Sequence, residues 1–261
     1  MGMFGRRIHK AVTAGDVVDV SETDGVRSLH LGSITVQSSM RISAPDELVL
    51  AYTRSMMGFL LFGPEPVRFL MVGLGGGSLA KFVYHRMPAA RTTVVELNPQ
   101  VVAAARAYFN LPPEDERFEV AITEGGQYVA DHPDCADVLM VDGFNGSGPV
   151  EALSSQQFFD DCAAALGKHG VLVVNLWGGD KNFDVYLQRI ETSFDGLTLC
   201  LPTEKHGNIV VFGFERSPGN PLWDELRQRA RKLEPVYGLE FLKFVESLRA
   251  LNPHTERRLL L

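Results

Sequence analysis

The chain is expected to form an α/β protein on a doubly wound, mostly parallel sheet of seven strands, preceded by a small β segment. Three observations carry this expectation. From residue 67 onward, continuous apolar runs alternate with helical patterns, as strands covered on both faces require. The first run empties into a glycine-rich turn, "VGLGGGSLAKF", just before its helix. The residues ahead of 40 show short alternating or β-branched stretches broken by turn residues instead.

Taken in order, strands are expected at 16–22 (DVVDVSE), 26–32 (VRSLHLG) and 33–39 (SITVQSS), with Thr23-Asp24-Gly25 turning between the first two. The stretch at 43–62, "SAPDELVLAYTRSMMGFLLF", reads as a helix opened by Ser43 or Asp46 and closed before Gly63-Pro64. The main sheet then takes VRFLMV (67–72), RTTVVEL (91–97), FEVAIT (118–123), ADVLMVD (136–142) and GVLVVNL (170–176). Helices at 78–86, 99–108, 125–131 and 155–166 alternate with them, the last opened by Ser154-Ser155. After a helix at 181–194, LTLCLP and GNIVVFGFE form an antiparallel hairpin around TEKH that closes the sheet. PLWDELRQRARKL and GLEFLKFVESLRAL are C-terminal helices, and the basic run RQRARK reads as a solvated helix face. The chain thus divides into a β segment, residues 1–45, and a ligand-binding domain, residues 46–261.

Composition narrows the function classes. With 261 residues, 45% apolar and 22% charged, the chain is an ordinary globular protein. A net charge of −7 argues against non-specific binding to nucleic acid or an anionic membrane. No run approaches the roughly 18 apolar residues of a membrane span, and "MGMFGRRIHKAVTAG" lacks the apolar centre of a signal peptide. Cys135, Cys162 and Cys200 stand far apart, as reduced thiols do in a cytoplasmic protein. The seven histidines show no HxxxH or His-Cys cluster, so no metal is expected.

Gly73, Gly75 and Gly77 bare the backbone at the first strand-to-helix turn, where the helix start adds positive potential. A P-loop would need Lys-Ser or Lys-Thr after the glycines, and a dinucleotide fingerprint a glycine at Ser78. The spacing suits an adenosyl-sulfonium ligand, which has no pyrophosphate to cradle. Glu96 ends the second strand of the main sheet, where a carboxylate accepts from both ribose hydroxyls. In "ITEGGQYV", Glu124 is placed to accept from an adenine amino group, with Gly125 letting the ring approach. Asp142 stands where the fourth strand stops, beside the expected reactive end of such a ligand, where a carboxylate can take a proton from an attacking amine, hold a cationic amine by charge, or simply brace the loop GFNGSGP. Trp177 follows the fifth strand, as packing or as a cover for the pocket.

The run "VDGFNGSGPVEALSSQQFF" resembles the spermidine synthase (polyamine aminopropyltransferase) pattern D-x-x-D-P-x-G-P-x-E-x-L with a paired aromatic behind it. Asp142, Gly148, Pro149, Glu151, Leu153, Phe158 and Phe159 fall in register. "GLGGGSL" stands where that family carries G-G-G-D-G-G, and Glu96 and "TEGG" match its ribose acid and adenine turn. "LHLGSITVQSS" is similar to its L-D-G-x-x-Q segment and aligns Gln37, with Gly32 out of register. The resemblance implies a Rossmann-like fold of the SAM-dependent methyltransferase type and aminopropyl transfer from decarboxylated S-adenosylmethionine to an amine. Asp142 would be the proton acceptor; Glu96, Glu124, Gly125 and Pro149 would line the methylthioadenosine moiety, and Gln37 would close the site. A homodimer through the β segment is implied as well. The family's acid inside the turn is Gly76 here, its second acid after the catalytic one is Asn145 with Gly146 following, and its Y-H-E is Leu50-Ala51-Tyr52. Those groups hold a diamine's ammonium ends, so weak putrescine binding is expected. A SAM-dependent methyltransferase, which suits Gly76, and a non-catalytic adenosyl-ligand sensor stay open as alternatives.

Overall fold

The alternating stretches at the start and the continuous runs after residue 67 fold into two separate sheets. The computed structural model describes residues 6–13, 16–33, 35–142, 144–145, 148–149, 151–203 and 207–261, with the backbone alone at 13, 16, 144–145, 148–149 and 151. The first sheet is antiparallel, in the order β1 (Arg6–Thr13), β2 (Asp16–Thr23), β3 (Val26–Leu31), β4 (Val36–Arg41). Three of these strands match expectation; β1 does not, because Arg6, Arg7, His9 and Lys10 mask its alternation. It is an edge strand, where charge facing water is at home. Arg7 pairs with Asp19 of β2 at 2.7 Å, while Ile8 and Ala11 pack on the core.

The helix expected over 43–62 is shorter. It begins as α1 (Ala51–Met56) and tightens into a 3₁₀ turn at 57–61. Pro45 follows a bridge between Arg41 and Ala44, and the segment ahead of Ala51 stays in turns. Neither Ser43 nor Asp46 caps the helix: Asp46 pairs with Arg86 at 3.1 Å, and the cap is Leu50 in extended conformation.

Beyond it come β5 (Arg68–Val72), α2 (Ser78–Arg86), β6 (Arg91–Glu96), α3 (Pro99–Tyr108), β7 (Phe118–Ile122), α4 (Gly125–Asp131) and β8 (Ala136–Val141). A two-residue pair, β9 (Phe144–Asn145) and β10 (Gly148–Pro149), precedes α5 (Gln156–Ala165), β11 (Leu166–Trp177) and α6 (Phe183–Ser193). The chain ends with β12 (Thr198–Pro202), β13 (Asn208–Phe214), α7 (Trp223–Tyr237) and α8 (Phe241–Ser247). Ser155 caps α5 by accepting from the Phe158 amide at 3.1 Å. In the basic run of α7, Arg229 departs from the solvated face and donates to the carbonyls of Leu60, at 2.6 Å, and Gly63. No helix among the described residues is long and apolar enough to cross a membrane.

The seven-stranded sheet runs β12-β13-β11-β8-β5-β6-β7, with only β13 antiparallel to its neighbours. Alternate residues feed alternate layers. Phe69, Met71, Val94, Val138 and Met140 join the core with α2, α3, α7 and α8, while Leu70, Val72, Val95, Leu139 and Val141 meet α4, α5 and α6. The chain winds outward from β5 to β6 and β7, then returns to place β8 on the other side of β5. Between the carboxyl ends of β5 and β8 lies the crevice that open parallel sheets use for ligands.

Lys81 on α2 is 1% exposed and donates from Nζ to the Phe109 carbonyl at 2.7 Å, tying the helix behind the glycine turn to the end of α3. Burial pushes its ammonium from 10.5 down to about 8, against the attraction of Asp46. Between those two values the unfolded chain binds more protons than the folded one, so this group's contribution makes stability rise with pH across that window. Urea unfolding at a series of pH values should show wild type gaining on Lys81→Met from about 8 to about 10.5.

Candidate active site

The turn after β5 bends back sharply because Gly73, Gly75 and Gly77 take φ of 94°, 53° and 69°, a region closed to most side chains. Gly77 ends the turn as the cap of α2, and its amide bonds the Leu74 carbonyl at 2.8 Å. Gly76 answers a different demand. A Cβ there would meet Ser38 Oγ at 2.8 Å and the Phe109 ring at 2.9 Å. Ser38 is buried on β4 and its hydroxyl lies 3.1 Å from that of Ser78 at the start of α2. The first sheet is therefore docked on the glycine turn, in space an acid at position 76 would need.

Glu96 reaches back under the same turn. One carboxylate oxygen accepts the Leu74 amide at 3.0 Å and the other the Asn98 amide at 2.9 Å. Burial pushes its carboxyl up, with the Asn98 and Leu74 amides opposing. The Leu97 and Gly75 amides oppose the burial as well, so the carboxylate is held under the turn from several sides. Leu97, next along, is 65% exposed and offers an apolar surface beside it.

Glu124 and Gly125 have structural work at α4. Glu124 is the N-cap, its two oxygens accepting the amides of Gly126 at 3.0 Å and Gln127 at 2.6 Å. A Cβ on Gly125 would lie 2.6 Å from Val72 Cγ1, so the glycine lets α4 close onto β5.

Asp142 sits at the end of β8, its amide bonded to the Val72 carbonyl at 3.0 Å across the crevice. Its side chain faces donors from two other elements. Oδ2 accepts from the Tyr52 hydroxyl of α1 at 3.0 Å, and Oδ1 from Asn175 Nδ2 of β11 at 3.0 Å. Tyr52 also lies 3.1 Å from the Gln37 carbonyl, and Asn175 accepts in turn from Asn208 Nδ2 at 3.0 Å. Burial drives the Asp142 carboxyl above its ordinary value, with Asn175 and Tyr52 pulling the other way. The same burial, with the carboxylate beside it, raises the Tyr52 phenol well above its own. The result is a carboxylate readied to take a proton, beside a phenol that keeps its own.

A cleft brings Gln37, Tyr52, Gly73, Gly75, Ser78 and Asp142 together. Glu96 lies across the glycine turn from it, Glu124 and Gly125 at the start of α4. Pro149 is placed by its backbone in β10; its side chain, like those of Phe144 and Asn145, lies outside the described residues, as does Gly146 entirely. Trp177 is 48% exposed and lies against Gly179 and Gly207. No group of three or more metal-type ligands occurs among the described residues. Sequence reasoning passed over Asn175, Asn208 and the hydroxyl of Tyr52. The polar Asn175 inside the apolar run "VLVVNL" was the one available signal.

A profile of the Spermine/spermidine synthase domain matches residues 49–212. The chain belongs to the spermine/spermidine synthase family. A polyamine aminopropyltransferase of Chromobacterium violaceum is 45% identical over 261 residues, spanning all of both chains. Another, of Neisseria meningitidis serogroup A, is 44% identical over 250 residues, 95% of each. A solved spermidine synthase in complex with the transition-state analogue AdoDATO has a TM-score of 0.70 at 21% identity, covering 94% of this chain and 85% of that one. That likeness is one of fold.

Within this family member, Gly125→Ala separates helix packing from ligand approach. Overpacking against Val72 should lower stability by about 1 to 3 kcal/mol in urea unfolding without any ligand present.

Proposed function

We propose that this chain is an aminopropyltransferase that uses decarboxylated S-adenosylmethionine and a small amine, with Asp142 as proton acceptor. The observation that carries the reading is the Asp142 carboxylate, half-buried and faced by two donors, at the crevice wall beside the glycine turn. The names of the 45% and 44% identical relatives favour aminopropyl transfer over methyl transfer and ligand sensing.

The residues present suit such a donor. Gly73 and Gly75 let a nucleoside approach the backbone, Glu96 puts a carboxylate at the strand end for the ribose, and Leu97 is exposed beside it for an adenine. Glu124 and Gly125 border the same edge, where each oxygen of the capping carboxylate still has one lone pair. Pro149 and the side chain of Gln37 would close the pocket. The bound donor supplies a sulfonium leaving group and a carbon open to displacement.

Asp142 and the cleft walls supply alignment and a proton sink. The amine nitrogen bonds to the methylene beside the sulfonium, the carbon–sulfur bond breaks, and its electron pair leaves with sulfur as neutral methylthioadenosine. Before the attack the acceptor's ammonium gives one proton to Asp142, and the secondary ammonium formed by the transfer keeps its charge. An ammonium ordinarily titrates at roughly 10, so it must lose a proton before attack, which a carboxylate raised by burial is suited to assist. Tyr52 and Asn175 hold the carboxylate in line, and the rest of the rate is owed to placement of the two reactants. We further propose assembly as a homodimer through the first sheet.

Incubation with decarboxylated S-adenosylmethionine and a panel of amines, putrescine first, should yield by mass spectrometry a product heavier by one aminopropyl unit. Methyl transfer from intact S-adenosylmethionine instead would overturn the reading. Asp142→Asn should lower kcat by about 10² to 10⁴ while calorimetric affinity for methylthioadenosine holds. Glu96→Gln should do the reverse, weakening that ligand about ten- to a hundredfold, as loss of charge-assisted hydrogen bonds requires.

A further inference from the structure

We propose that Asn208 is a positioning residue for the transfer: by donating to the amide oxygen of Asn175, it fixes which end of that amide faces Asp142. The inference rests on the reading of Asp142 as proton acceptor. A primary amide has a donor end and an acceptor end, and half a turn exchanges them. Asn175 is 5% exposed at the end of β11, so neither end can turn to water. As placed, Nδ2 donates to Asp142 Oδ1 and Oδ1 accepts from Asn208 Nδ2, both at 3.0 Å.

The flipped amide would fail at both ends. Its oxygen would face the Asp142 carboxylate, an arrangement tolerated only if that carboxyl carries a proton and donates it. Its NH₂ would face the NH₂ of Asn208, donor against donor, so Asn175 can turn only if Asn208 turns with it. Asn208 thus disfavours the one arrangement of its neighbour that would favour protonated Asp142, the form unable to accept a proton from an amine. Asn208 is itself anchored as the first residue of β13, paired with Trp177 across the ladder, its carbonyl accepting from the Thr203 amide at 3.0 Å. It is not among the residues lining the cleft, so it acts through Asn175. Among the described residues that line the cleft, Tyr52 is the one other titratable group facing Asp142, and it stays protonated.

The test compares the full chain with Asn208→Leu and with Asn208→Ser, whose shorter hydroxyl does not reach Asn175 and which serves if the leucine variant fails to fold. Two readouts are followed over pH: kcat/KM for aminopropyl transfer, and the carbon-13 titration of the Asp142 carboxyl, assigned by difference with Asp142→Asn. Without the lock, both the acidic limb and the carboxyl titration should move to higher pH. On that limb kcat/KM should fall about tenfold, the worth of one charge-assisted hydrogen bond, and recover on the plateau above it. Asn208→Gln, which keeps a donor amide, should restore much of the limb. An unmoved carboxyl titration, with or without a pH-independent loss of activity, would overturn the inference and leave Asn208 a packing residue. A carboxyl titration that moves while the kinetic limb does not would uphold the lock and overturn Asp142 as proton acceptor.

Discussion

A carboxylate held at the seam between β5 and β8 must be kept in one orientation, and the surrounding structure meets that requirement. Water would solvate an exposed aspartate from any direction. Inside the crevice the protein itself has to furnish the donors, from whatever elements the fold brings near. One is a phenol on α1, and the other an amide on β11. Because both oxygens are engaged, the group is neither free to rotate nor left as an uncompensated buried charge, and it retains enough exposure to meet a ligand.

The first sheet is part of the same construction. Ser38 of β4 sits on Gly76 and against Ser78, and Gln37 offers its carbonyl to the Tyr52 hydroxyl. The glycine turn therefore has two clients: a bare backbone facing the cleft and a close-packed back facing β4 and α3. This double use explains why four glycines occur in five positions. Gly73, Gly75 and Gly77 meet conformational demands, and Gly76 meets a packing one. A side chain at position 76 would have to displace the Ser38 hydroxyl and the Phe109 ring.

Much of this was legible in the chain. Continuous apolar runs such as "FLMV" and "DVLMV" carry their own two-faced burial, so the seven strands and the helices between them were readable to within a few residues. Family membership was legible in the run from Asp142 to Phe159, now matched by relatives 44–45% identical. Other features were hidden. β1 was obscured by charges that only an edge strand tolerates. The short helix at 51–56 was overextended because "APDELVLAY" has helical periodicity, while Arg41–Ala44 pairing and the Asp46–Arg86 ion pair hold its first half in turns. Glu124 and Gly125 read either as ligand groups or as an ordinary turn, because a helix cap and a close strand approach use the same two residue types.

By itself the sequence determined the order of elements, the sheet they build and the placement of Gly73, Glu96 and Asp142 at strand ends. Periodicity and strand-end position are local properties that a single chain displays. Tertiary structure alone decided that Tyr52 and Asn175 meet on Asp142, with Asn208 behind Asn175. They come from α1, β11 and β13, far apart along the chain, and meet because strand order sets β11 between β8 and β13 while α1 packs against β11 and β13. A hydrogen bond depends on distance and direction in space, and spacing along a chain carries neither.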